Sequence, residues 1–155
     1  YDGFRERHEA VIKLFSGNGT TFAVVCAPNE PSIAVANYFL NELENRDMPC
    51  SGVIVNQMHP VLGHDLEPGE ILNDLAQSMS EDLDPNTVNQ LLARLGINHR
   101  RLLGLSKAER KLSNEIYRRL STSQSMWHVP RLEGEVHDIH ALGQVFEHAR
   151  KVVGE

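Results

Sequence analysis

The residues of this chain best placed to do chemistry stand where two apolar runs end. Val53-Ile54-Val55 gives way to Asn56-Gln57-Met58-His59-Pro60, and Met126-Trp127-His128-Val129 gives way to Pro130-Arg131-Leu132-Glu133-Gly134-Glu135-Val136. In an open α/β sheet, ligands bind outside the carboxyl ends of the strands. An asparagine there offers an acceptor oxygen and a donor amide on one flat group, the pair that an adenine edge needs at N6 and N7. An arginine stacks on a base or meets a phosphate, and a proline and a glycine let backbone come close to a flat ring. Plainer readings stand beside both. A strand-end asparagine usually caps a turn, and Arg131 serves as well in a surface pair with Glu133 or Glu135.

The other candidates are weaker. Among eight histidines, His137 and His140 are spaced to share a helix face, but only Asp138 is near, on a different face, and a metal needs more ligands. They read as polar first-turn residues. Glu67, Glu70 and Glu81 lie in a polar helical region with no apolar pocket to shift a carboxyl pKa. The two cysteines, Cys26 and Cys50, form no CxxC pair and read as reduced thiols of a cytoplasmic protein. No G-x-x-x-x-G-K-[ST] loop occurs. Gly17-Asn18-Gly19-Thr20-Thr21 precedes its strand and has no lysine, so it reads as a helix-stop turn. No catalytic residue and no metal ligand is assigned.

Composition sets the frame for these residues. The chain has 155 residues, 41% of them hydrophobic and 23% charged, as expected for one soluble domain at most. No run approaches the ~18 apolar residues of a membrane span, and Tyr1-Asp2-Gly3-Phe4-Arg5 lacks a signal-peptide layout. The missing initiator methionine fits a piece of a longer chain. A net charge of −6 argues against nucleic acid as a partner. Arg100-Arg101 and Arg118-Arg119 are interspersed with acidic residues and read as solvated helix faces.

Outward from the strand ends, apolar periodicity predicts a helix over 4–15 and an unalternating strand over 21–27. A helix follows, with Ile33, Ala36, Phe39, Leu40 and Leu43 on one face, then a second strand over 52–56. Apolar runs without alternation predict strands covered on both faces, and the βαβ order predicts a parallel sheet. Residues 61–125 turn polar and strand-free, with helices predicted near 68–79, 85–95 and 106–121. A short strand over 126–129 then leads to a closing helix from about 138 to 153, with Ile139, Leu142, Val145, Phe146 and Ala149 inward. The fold class expected is α/β.

Two segments carry a family resemblance. Thr20-Thr21-Phe22-Ala23-Val24-Val25-Cys26, leading through a helix to Gly52-Val53-Ile54-Val55-Asn56-Gln57, resembles the last central βαβ of the arsenite-pump and tail-anchored-protein-targeting (ArsA/GET) ATPases. The segment from Val129-Pro130-Arg131 to Asp138-Ile139 resembles that family's closing P-x-x-x-x-E-[VI]-x-x-[LI] loop and final helix. The two lie in the family's order, separated by a helical insertion, and together cover the chain.

The resemblance implies that residues 1–155 are the C-terminal part of an ArsA-type ATPase domain, with a helical insertion at about 61–125. It implies three strands of the parallel sheet of a P-loop NTPase-like fold, in a dimeric enzyme that uses ATP and Mg²⁺. The family's phosphate loop and switch segments lie upstream, so this chain is expected to be inactive alone and to supply the adenine-side wall. Asn56 matches the base-reading asparagine of the V-N-[QR] motif, while Pro130 and Arg131 fall in the loop that closes over the base, largely through its backbone.

The departures are in the insertion. The targeting branch carries a CxxC zinc pair there, and residues 61–125 contain no cysteine; no cysteine set suits trivalent arsenic either. Expected partners are a second copy, covering the first strand's open edge, and a membrane or client protein bound through the insertion. An interaction module without catalysis, built on the insertion's helices, is the alternative. A small-molecule or flavodoxin-like sensor is a third option, for which no acidic cluster or phosphate loop at the strand ends speaks.

Overall fold

A computed structural model describes residues 2–17, 19–60, 73–75, 77–78, 84–132 and 138–153. In chain order these form α1 (Asp2–Phe15), β1 (Phe22–Cys26), α2 (Glu30–Asn45), β2 (Cys50–Met58), α3 (Pro85–Tyr117), β3 (Ser125–Pro130), α4 (Ile139–His148) and β4 (Arg150–Lys151). Residues 1–58 and 109–155 make one compact unit, and residues 59–108 make another. Among the described residues no helix is long and apolar enough to cross a membrane.

The first unit is a four-stranded sheet in the order β1-β2-β3-β4, with β1, β2 and β3 parallel and β4 antiparallel to β3. It is a mixed, mostly parallel α/β sheet. Local chemistry explains how α2 starts: the Asn29 carboxamide oxygen accepts from the Ser32 amide at 3.0 Å, and Pro31 occupies the first turn, where no amide donor is needed. Ile33, Ala36 and Leu40 then recur on one face and are buried. They join Cys26, Val53, Val55 and Met126 of the sheet and Ile116 of α3 in one core cluster. Farther along α2, Arg119 clamps it by donating to the Asn37 and Asn41 carboxamide oxygens.

Four expectations are corrected. The closing helix ends at His148 instead of running to 153, because Ala149 turns extended and Arg150 and Lys151 pair with His128 and Trp127. The Val152 amide extends that pairing to the Met126 carbonyl at 2.8 Å. The sheet therefore has four strands and not three: the open edge of β3 recruits the chain that helix periodicity alone assigns to α4. The helices predicted at 85–95 and 106–121 are one, α3, which runs through Gly96 and Gly104. A helical glycine weakens a helix by about 1 kcal/mol but does not end it. The start predicted near 85 holds, with the Asp84 carboxylate accepting from the Asn86 and Thr87 amides.

The third correction concerns burial. Phe22, Val24 and Cys26 share the face of β1 turned to the core, whereas Val25 on the other face is 60% exposed. Within the described residues β1 is covered on one face only, despite its unbroken apolar run. The fourth concerns α4, whose Ile139 and Phe146, expected inward, are 89% and 74% exposed. Val145 and Ala149 are half-buried. The helix predicted near 68–79 lies mostly outside the described residues; 73–75 and 77–78 are helical.

Candidate functional site

Because β2 and β3 are parallel, their carboxyl ends reach the same edge of the sheet. Val55 pairs with His128, but the next pair is Met58 with Pro130, so β2 uses one more residue than β3 over this step. That is a bulge centred on Asn56 and Gln57. Gln57 has φ of +62°, the left-handed region that a non-glycine residue enters only with support. The support comes from Asn56, whose side-chain oxygen accepts from the Gln57 amide at 2.9 Å. On the neighbouring strand, the Arg131 amide donates to the Met58 carbonyl at 2.9 Å, which ties the two strand ends together just past the proline, a residue with no amide of its own.

The structure thus brings Asn56, Pro130 and Arg131 to one edge. Asn56 and Pro130 are half-buried and Arg131 is exposed. Asn56 plays the turn-stabilising part expected of a strand-end asparagine. One lone pair of its oxygen is used in that way, leaving a second lone pair and both amide protons. The carboxamide can therefore still offer one acceptor and one donor to a flat ligand. Glu133 and Glu135, the expected surface partners of Arg131, lie outside the described residues, as do Glu67, Glu70, Glu81 and His137. His140 is exposed. Among the described residues no three or more His, Cys, Asp or Glu side chains are grouped to hold a metal. Cys26 and Cys50 are free thiols, and burial pushes the Cys26 thiol pKa up.

One polar contact had no clear signal in the sequence. The Ser113 hydroxyl meets His128 Nε2 at 2.5 Å, joining α3 to β3. Ser113 is fully buried, and the pair serves as a packing contact between the two elements. The only hint was parity: His128 stands two residues after the inward Met126. Burial first, and the Arg110 charge second, hold the His128 pKa below its ordinary 6.5. The unfolded chain therefore takes up the proton more readily than the folded one. Stability from this group is complete above the ordinary value and is lost as pH falls through the lowered folded value. Urea midpoints should drop from pH 7 to pH 5, and His128→Gln should flatten that slope; equal slopes would remove His128 from the explanation.

No family model matches the chain, and no curated protein matches it at a significant level.

Proposed function

We propose that this chain supplies the adenine-side wall of an ATP site, as the C-terminal part of a P-loop NTPase-like ATPase similar to the ArsA/GET family. The observation that carries this reading is the joined strand ends: the Asn56–Gln57 bulge and the Pro130–Arg131 step share one edge through the Arg131 to Met58 hydrogen bond. A parallel sheet with two adjacent loops at its carboxyl edge is where α/β proteins hold planar ligands. Asn56 retains the donor and acceptor for an adenine edge, and Arg131 is an exposed cation at its side. The phosphate-holding lysine and Mg²⁺ belong to the segment the resemblance places upstream. No step of hydrolysis is assigned to the residues of this chain.

Adenosine should bind weakly and selectively. At millimolar concentration it should shift the Gln57 and Arg131 amide signals in an NMR titration, with guanosine acting much less. Asn56→Ala should weaken adenosine binding about tenfold, the scale of one lost side-chain pair with a base. Guanosine shifts of equal size would sink the adenine assignment.

Cytoplasmic location and pairing with a second copy belong to the same proposal. Among the described residues β1 stands at an edge of the sheet, and its Val25 is exposed; both support pairing, because bare strand edges invite another strand. Sedimentation showing only monomer at every concentration would refute it. The alternative, an interaction module, draws on the exposed Leu95, Ile97, Leu102 and Leu105 of α3, which could receive an apolar helix of a membrane or client protein. A fluorescence titration with such a peptide decides this; no binding eliminates it.

A further inference from the structure

A hollow of about 610 Å³ runs between α3 and β4, and its lining does not include Asn56, Pro130 or Arg131. Its charged lining is Arg110, Arg118, Arg150 and Lys151, and among the described residues no carboxylate lines it. That is unusual for this chain, which has 21 acidic residues against 15 basic ones. Arg110 and Asn114 follow at i, i+4 spacing on α3, and Arg118 stands one residue past its end. The described ion pairs are Arg5 with Glu9 and Arg46 with Glu42, and neither involves these four cations.

The site is partly preorganised. The Arg150 Nη1 donates to the Glu147 carbonyl at 2.8 Å and the Ala149 carbonyl at 3.2 Å, at the end of α4. That helix end favours the cation and holds the guanidinium while its other N–H groups remain for a ligand. Tyr117, His128 and Val152, all half-buried, add ring and apolar surface. His128 is itself held by Ser113. The volume falls in the range of small-molecule sites, about 300–1,000 Å³.

We infer that this hollow binds a small molecule bearing two or more phosphates. Guanidinium groups take phosphate oxygens through paired, charge-assisted hydrogen bonds, and four cations around one hollow suit linked phosphates better than one isolated anion. The mutual repulsion of the four cations gives the ligand a further role, because its binding should stabilise the folded chain.

Calorimetric titration with tripolyphosphate at low salt tests this on the whole chain. Tripolyphosphate should bind at least tenfold more tightly than inorganic phosphate or citrate, raise the Tm, and shift the His128 ring signals in NMR. Arg110→Gln and Arg150→Gln should each weaken binding about tenfold, the lower end expected for a hydrogen bond to a charged group. Arg7→Gln removes the same charge from exposed α1 and should leave affinity within about twofold. No binding at millimolar tripolyphosphate overturns the proposal, and so does an equal loss in Arg7→Gln, which would mark a net-charge effect. A single-stranded oligonucleotide binding more tightly than tripolyphosphate would overturn it in favour of a nucleic-acid partner. The adenosine titration reads different residues, so either idea can fail without the other.

Discussion

Gly52→Ala is expected to abolish cooperative folding of the sheet unit, or to lower its stability by more than about 4 kcal/mol, beyond the usual range for a point substitution. Gly52 sits in β2 with φ of +148°, a conformation essentially reserved for glycine. A β-carbon built there would lie 1.8 Å from the Ser125 carbonyl oxygen and 2.7 Å from its carbonyl carbon. Those are backbone atoms of β3, the strand paired with β2 at this point. They cannot rotate aside as a side chain could, so relief requires separating two central strands. Whole domains are held by only about 5–15 kcal/mol.

Gly104→Ala is the matched control. A β-carbon there meets nothing within 4 Å, and alanine at an interior helix position should stabilise α3 by up to about 1 kcal/mol. Urea unfolding followed by circular dichroism separates the two. A Gly52→Ala variant with an unchanged midpoint would show that the backbone at position 52 is not held as described.

Ile116→Ala should be the most damaging of the simple truncations, at about 3 kcal/mol within the usual 2–5 for deleting a buried isoleucine. Ile116 has no exposed surface and belongs to the cluster with Val53, Val55 and Met126. It is the point where the last turns of α3 press on the sheet. Its loss removes methyl groups and leaves a cavity whose walls include two strands, which cannot easily collapse into it. Phe146→Ala, at a larger but largely exposed side chain, should change stability by less than about 0.5 kcal/mol. Comparable losses in both variants would mean that α4 packs more closely in solution than its exposure indicates.

The contrast between Ile116 and Phe146 also separates what helical periodicity encodes from what packing adds. Periodicity marked an apolar face on α4, and the face exists, yet Ile139 and Phe146 are exposed. Amphipathicity reports that a helix can bury one side; it does not report what covers it. The same holds for β1, whose unbroken apolar run suggested cover on both faces while Val25 stands exposed.

The strand-end site was legible only in part. That Asn56 and the Pro130–Arg131 step would meet at one edge followed from the βαβ order, since parallel strands end on the same side. The bulge at Asn56–Gln57, and the use of one Asn56 lone pair to hold it, did not follow. The bulge comes from matching β2 to β3, residue against residue, across a long separation in the chain. The Ser113–His128 contact and the gathering of cations beside β4 were illegible for the same reason.

The joined strand ends therefore divide cleanly between the two sources. The sequence by itself determined what local forces decide: the caps at Asn29, Asp84 and Asp138, the βαβ order, and an asparagine and an arginine at two strand ends. Those features depend on hydrogen bonds and periodicities within a few residues. The tertiary structure alone decided the bulge that aims Asn56, the fourth strand taken from the predicted end of α4, and the clustering of Arg110, Arg118 and Arg150. Each depends on which distant backbone offers a partner, and that is set only when the sheet closes.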